Sequence, residues 1–397
     1  MIWSQSMLGI RSALRALFTS LYVIALSSIS TVSFAQAPLK IILDGDVGPD
    51  PCDFATLSIA HNLHARGDIE LLAIGGTLPD KNLVPTLDIY NKLAGSEIPL
   101  ATYKNPDDGY FNVTVKLISN LLHVALPATA RIAKEHQDLV EYGYDDVPSA
   151  VDLYRKVLSE QEDRSVTFLV LGQLYNIDAL LSSEADQYSP LNGMELVEQK
   201  VDRFVMMIGA FNDSIKLADI SFYNKNYFNR GANALGLATI LGHVTSANGR
   251  GAEYNAMAFY PGLTQRTFEQ LDVLSTPIVL LGNHPGRLVP TGDAYEKLPN
   301  DHPVRMAFSY NNPTSRFFEP NTTKNDPAYD ELAVLYISQY KADYFLEESG
   351  HVVFSHNGSS TWTSGGSNRY TKITLSPNAN QNDQLSDLIE NMVFDDF

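Results

Sequence analysis

The sequence predicts an α/β fold: a single domain with a mostly parallel central sheet flanked by helices. Three observations predict it. Short runs of Ile, Leu and Val recur along the chain and end in Gly or acidic residues, as strands buried on both faces do. Stretches of helical apolar spacing follow these runs, giving strand–helix–strand alternation. The chain is also long, 397 residues, 44% apolar, with 20 Tyr and 18 Phe. That is enough to bury a large core and unlike a disordered composition.

The first strand is read at 40–44, apolar until it reaches Asp44. Phe54, Leu57, Ile59, Ala60 and Leu63 space a helix over 54–64. A second strand at 69–74 is closed by Gly75-Gly76, and a helix over 82–93 and a brief strand at 98–100 complete the first unit. The pattern then recurs. A helix over 148–158 tolerates Pro148 in its first turn, a strand follows at 166–171, and a helix starts at Tyr175. Runs at 204–209 and 277–282 read as strand then turn, 329–340 as an amphipathic helix, 351–354 as an edge strand, and 384–393 as a final helix. Residues 212–250 are irregular and rich in Asn, Gly and Tyr, and are read as an insertion serving as a lid or an oligomer contact.

Residues 1–35 read as a signal peptide. Arg11 and Arg15 supply a basic start, an apolar stretch follows, and Ser33-Phe34-Ala35 puts small residues where cleavage needs them. The expected mature domain is 36–397, exported to a periplasm or secreted; the competing reading is an uncleaved N-terminal anchor. No second apolar run is long enough to span a bilayer, so no stable membrane insertion is expected after cleavage. The net charge of −18 argues against a nucleic-acid partner, because phosphate contacts need basic patches. One cysteine excludes an intramolecular disulfide and a Cys-based zinc site. A Gly-x-Ser-x-Gly elbow, a Walker loop and a Gly-x-Gly-x-x-Gly fingerprint are all missing.

The most informative segment is Asp44-Gly45-Asp46-Val47-Gly48-Pro49-Asp50-Pro51-Cys52-Asp53. Its four carboxylates repel one another, so a folded loop needs a cation or raised pKa values to hold them. Oxygen donors of this kind suit a hard ion, Ca²⁺ or Mg²⁺. The alternative is a solvated acidic turn. The spacing is not that of an EF-hand.

This segment resembles the N-terminal motif of the inosine–uridine-preferring nucleoside hydrolases, Asp-x-Asp-x-Gly followed by a pair of acids that opens a helix. Asp44, Asp46, Gly48 and Asp53 match, and Cys52 stands where the first acid of the pair is expected. Five further segments resemble the family in order. They are residues 72–80; Gly172-Gln173-Leu174-Tyr175-Asn176; Met207-Ile208-Gly209-Ala210-Phe211; Ala252-Glu253-Tyr254-Asn255; and Tyr329-Asp330-Glu331-Leu332-Ala333-Val334.

The resemblance implies a Ca²⁺ ion held by Asp46, Asp53, the Tyr175 carbonyl and Asp330. It implies a metal-bound water that gives its proton to Asp46 and attacks the anomeric carbon of a ribonucleoside. Glu253, Asn255, Asp80, Met207 and Tyr329 fall at substrate-binding positions. Tyr329 replaces a His that many relatives use on the leaving base, and a tyrosine hydroxyl is a weak acid at neutral pH. Tyr110, Phe211, Tyr254 and Trp362 are candidates for stacking on the base, and His284 is within reach of a strand end but reads first as structural. Asp44 reads as a helix cap or an orienting group, Asp50 as a solvated acid and Cys52 as a small buried hydrophobe. The expected partner is a small ribonucleoside or related glycoside, and a homo-oligomer is compatible with this reading. Two further readings stay open: a hydrolase of another ribosyl or glycosyl bond on the same scaffold, and a non-catalytic calcium- or sugar-binding protein.

Overall fold

Alternation along β1 (Leu39–Gly45) sets the layering. Ile41 and Leu43 enter one core cluster, Ile42 enters the other, and all three are buried. A strand covered on both faces requires helices on both sides of the sheet. The structure, a computed structural model, describes residues 37–48, 50–78, 80–104, 128–211, 253–257, 262–310, 323, 325–338, 341–366, 369–377 and 383–394. The expected leader at 1–35, the insertion at 212–250 and Tyr110 lie outside the described residues. Pro38–Phe397 forms one compact unit.

After β1 come α1 (Cys52–Arg66), β2 (Ile69–Gly76), α2 (Leu83–Leu93), β3 (Leu100–Thr102), α3 (Ala128–Glu135), α4 (Ala150–Ser159) and β4 (Val166–Val170). Next are α5 (Tyr175–Leu181), α6 (Gly193–Lys200), β5 (Val201–Met207), α7 (Tyr254–Met257), α8 (Leu263–Leu271), β6 (Ile278–Leu281), α9 (Asn283–Arg287) and β7 (Pro290–Thr291). The chain ends with α10 (Pro303–Tyr310), β8 (Asp326–Pro327), α11 (Tyr329–Ile337), α12 (Lys341–Tyr344), β9 (Phe345–Phe354), β10 (Ser360–Ser364), β11 (Tyr370–Leu375) and α13 (Asp383–Phe394).

The main sheet has the order β10-β9-β11-β6-β5-β4-β1-β2-β3. β3, β2, β1, β4, β5, β6 and β11 run parallel, and β9 and β10 are antiparallel additions. One core cluster packs α1, α2, α10, α11 and α13 on the sheet, and the other packs α4, α5, α6 and α8. β1 pairs with both β2 and β4, so the order of strands reverses there. Ligands of open α/β sheets sit outside the strand carboxyl ends at such a reversal. Here those ends carry Asp44 at the close of β1, Asp46 just after it and Gly172-Gln173 after β4.

Two expectations need correction. The strand expected at 98–100 lies at Leu100–Thr102. The expected edge strand at 351–354 is the end of β9, which starts at Phe345 and lies inside the sheet between β10 and β11. β9 alternates buried and exposed positions because only one face is covered, and its Glu347, Glu348 and Ser349 interrupt the apolar run. Ser149 opens α4 in the way capping residues do, its Oγ accepting from the Asp152 N–H at 3.1 Å. Among the described residues no helix is long and apolar enough to cross a membrane.

Candidate active site

Carboxylates from distant parts of the chain share one cavity of ≈ 30 Å³. Asp46 follows β1, Asp53 lies in the first turn of α1, and Asp330 lies in the first turn of α11. All three are buried, whereas Asp50 is exposed although it too lines the cavity. Leu171, Met207, Glu253, Tyr254, Asn255, Asn283 and Tyr329 complete the wall. Asp53 Oδ2 also accepts from the Gly48 N–H at 3.1 Å and the Asp50 N–H at 3.4 Å, which ties the loop to the start of α1.

Burial, then the charge of Asp53, pushes the Asp46 carboxyl well above the usual carboxylate range, against a hydrogen bond from Gln173. Burial, then Asp330, does the same to Asp53, and burial raises Asp330. A proton shared between Asp53 and Asp330 relieves this repulsion, and so does a divalent cation.

Gln173 connects the two halves of the site. Its Nε2 donates to Asp46 Oδ2 at 2.7 Å and to Asn255 Oδ1 at 3.4 Å, while its Oε1 accepts from Thr77 Oγ1 at 3.2 Å. Thr77 fixes which way the amide faces, and the amide in turn orients Asp46. The approach depends on Gly172: a Cβ there would stand 2.7 Å from the Asp46 nitrogen and 2.9 Å from Thr77 Oγ1. Asn255 Nδ2 donates to the carbonyls of Leu171 at 3.2 Å and Met207 at 3.0 Å, holding the ends of β4 and β5 together. Glu253 accepts from the N–H groups of Asn255 (2.8 Å), Gly209 (3.2 Å) and Ala256 (3.2 Å). Burial still raises its carboxyl pKa despite these bonds.

Behind this layer Asp44 is fully buried. Its Oδ1 accepts from the Tyr154 hydroxyl and from Asn176 Nδ2 at 2.7 Å, and Asn176 also donates to the Gly76 carbonyl at 3.0 Å. Asp44 therefore locks β1, β2, α4 and α5 together and does not cap α1. Burial holds its pKa at about 7 against those two hydrogen bonds.

Comparison with solved structures places this architecture. An effector protein matches with a TM-score of 0.54 at 16% identity, over 90% of this chain and 95% of that one. The type III effector protein XopQ, crystallised with adenosine diphosphate ribose, matches with a TM-score of 0.51 at 16% identity, over 90% and 94%. An inosine–guanosine nucleoside hydrolase matches with a TM-score of 0.50 at 14% identity, over 90% and 98%. The fold is nucleoside hydrolase-like. At these identities the likeness carries the architecture alone. No protein-family profile and no curated protein matches the sequence.

Within this nucleoside hydrolase-like fold, not every expected residue reaches the cavity. Asp46, Asp53, Asp330, Glu253, Asn255, Met207, Tyr254 and Tyr329 line it together. Asp80 does not: its Oδ1 accepts from the Asn82 N–H at 3.0 Å and its Oδ2 from Thr129 Oγ1 at 2.7 Å, at the approach to α2. Tyr175 opens α5 with its ring 5.4 Å from that of Tyr103, also outside the lining. Cys52 takes no place in the lining either; its Sγ lies 3.8 Å from Asp330 Oδ2, so the thiol bears on the acid group rather than on a bound sugar. Burial, then Asp330, raises the thiol pKa and keeps it protonated.

His284 sits on α9 beside the lining residue Asn283. Phe211 and Trp362 form an edge-on pair 6.0 Å apart away from the lining. Phe211 adopts φ 50°, and the N–H groups of Ala210 and Phe211 both donate to Ser360 Oγ at 3.0 Å.

Asp46, Asp53 and Asp330 are oxygen donors of the type a hard cation takes, and they are buried together so that a divalent charge would relieve their mutual repulsion. The cavity has room for an ion and a water. Among the described residues, no group of three or more His, Cys, Asp or Glu side chains is drawn into metal-ligand geometry.

Proposed function

We propose that the chain is a calcium-dependent hydrolase of the N-glycosidic bond of ribosides, exported after loss of residues 1–35 and acting in a periplasm or outside the cell. The observation that carries this reading is the gathering of Asp46, Asp53 and Asp330 with Glu253 and Asn255 around one cavity at the sheet's reversal point.

Asp46, Asp53 and Asp330 would hold Ca²⁺, which when bound supplies positive charge that acidifies a water and grips sugar hydroxyls. Asp46 takes a proton from the attacking water as the new C–O bond forms at the anomeric carbon and the C–N bond breaks. Its Gln173 hydrogen bond engages Oδ2 and holds the carboxylate in one orientation for that task. Glu253, already accepting three backbone N–H groups, keeps negative charge near the oxocarbenium-like centre and has lone pairs left for a hydroxyl. Burial pushes the Tyr329 hydroxyl up, so it donates a hydrogen bond to the departing group rather than a whole proton, which solvent supplies. A ribosyl ring needs more room than ≈ 30 Å³, so binding requires the walls to part.

The second reading, another ribosyl or glycosyl bond, is favoured by Tyr329 at the leaving-group position. The deciding experiment is hydrolysis of a nitrophenyl riboside and a nucleoside panel with and without Ca²⁺. Turnover that needs Ca²⁺ and disappears in Asp46→Ala is expected. Ca²⁺ at a hundred times its Kd should add about 2.7 kcal/mol of stability, and Asp330→Asn should remove that gain. Absence of turnover on every riboside sinks the reading, and absence of calcium stabilisation sinks the metal assignment.

A further inference from the structure

One buried charge has no role in this chemistry. Arg287, the last residue of α9, is 6% exposed, and its Nε has no hydrogen-bond partner. Among the described residues no carboxylate forms an ion pair with it. A buried guanidinium without an anion is costly. Acids are not scarce, since the chain has 46.

The position of Arg287 is informative. Asn283, four residues earlier and therefore on the same face of α9, lines the cavity. Gly286 lets α9 lie directly on α11: a Cβ there would stand 2.5 Å from Tyr329 Cδ1 and 2.9 Å from Tyr329 Cα. Arg287 is thereby held just behind the cavity wall, hydrogen-bonded to Tyr329, which is part of that wall. A planar guanidinium matches carboxylate or phosphate oxygens with two parallel N–H donors, and a neutral tyrosine adds an O–H donor.

We propose that Arg287 and Tyr329 form a receptor for an anionic group, carboxylate or phosphate, on the ribosyl substrate, so that the preferred substrates are acidic ribosides rather than neutral nucleosides. This rests on the riboside-hydrolase reading. Its rival is a purely electrostatic role, with Arg287 offsetting the acidic loop from a distance. The two differ in selectivity, because a counter-charge to the loop serves every substrate alike.

Matched pairs separate them, using the full mature chain with Ca²⁺. Nicotinic acid riboside and nicotinamide riboside differ by a carboxylate on the leaving group; inosine 5′-phosphate and inosine differ by a phosphate on the ribose. The wild type is expected to favour the acidic member of one pair by about tenfold or more in kcat/KM, and the pair that responds identifies the source of the anion. Arg287→Met should collapse that ratio, Arg287→Lys should retain part of it, and the melting temperature of Arg287→Met should be equal or higher, since a buried charge without an anionic partner is removed. Equal turnover within both pairs by the wild type overturns the proposal and leaves the hydrolase reading standing. An equal loss on acidic and neutral members in Arg287→Met also overturns it, in favour of the counter-charge. If no riboside turns over, the hydrolase reading fails separately, and calorimetry with nicotinate against nicotinamide and ribose 5-phosphate against ribose takes over. Arg287-dependent preference for the acid is then the expected result, and no preference overturns the receptor.

Discussion

Arg155 and the Asp46, Asp53 and Asp330 group are both buried charge, treated in opposite ways. Arg155 is 1% exposed and fully answered. Its Nε donates to Asp186 Oδ2 at 2.7 Å, Nη2 to Asp186 Oδ1 at 3.0 Å and to the Leu191 carbonyl at 2.9 Å, and Nη1 to Ser183 Oγ at 2.9 Å. The three aspartates instead face neighbours of their own sign, with Gln173, among the described residues, as the one neutral donor reaching Asp46 from another side chain. Charge that the fold has matched holds elements together. Charge left unmatched at a strand end is available to a ligand, and Arg287 extends the same contrast to a cation.

The contrast is tested most severely at Asp46. Asp46→Asn should lower turnover by about 10²–10⁴-fold, the usual contribution of a general base, yet leave the calcium-free melting temperature unchanged or raised. A large loss of stability in that variant would make Asp46 structural and erase the difference between the two regions.

Arg155→Met should show the reverse, costing about 3 kcal/mol in urea unfolding because its acid and carbonyl partners lose their donor. The hydrogen bond to Arg155 depresses the Asp186 pKa to about 2 in the folded chain. That contribution is present above the unfolded value near roughly 4 and is lost as pH falls from there toward about 2. The variant should lack this acid-side slope, and a slope identical to wild type would refute the pairing.

The smallest effect is expected at Gln173, which orients Asp46, the proposed base, from outside the cavity lining. Gln173→Leu should reduce kcat about 10–100-fold with little change in KM. A change confined to KM would place the amide in substrate binding instead.

The residues that were readable in the sequence are those whose meaning is local. Asp44, Asp46 and Asp53 follow an apolar strand within ten residues, and the same chain segment presents them in the fold. Helix α5 begins where its spacing indicates, at Tyr175. Gln173 and Arg287 carry no such signal: Gln173 meets Asp46 across 127 positions, and an arginine without an acid partner looks like any other arginine in a linear chain. Asp80 reads as a site residue because its neighbourhood resembles one, but Thr129, 49 positions away, engages its carboxylate. β10 and β11 carry little signal for a different reason. β10 is Ser-Thr-Trp-Thr-Ser, with little apolar character to mark it.

β11 runs beside β6, pairing Tyr370 with Ile278 and Ile373 with Leu281. A ribosome makes β6 long before β11, so the apolar Ile278-Val279-Leu280-Leu281 edge emerges with no strand to cover it. Until β11 is synthesised, the nascent chain carries an open template for pairing with another nascent chain. The turn after β5 waits as well, because Ser360, which receives the N–H groups of Ala210 and Phe211, belongs to the same late segment. The conformation of that turn is thus fixed by residues made about 150 positions later.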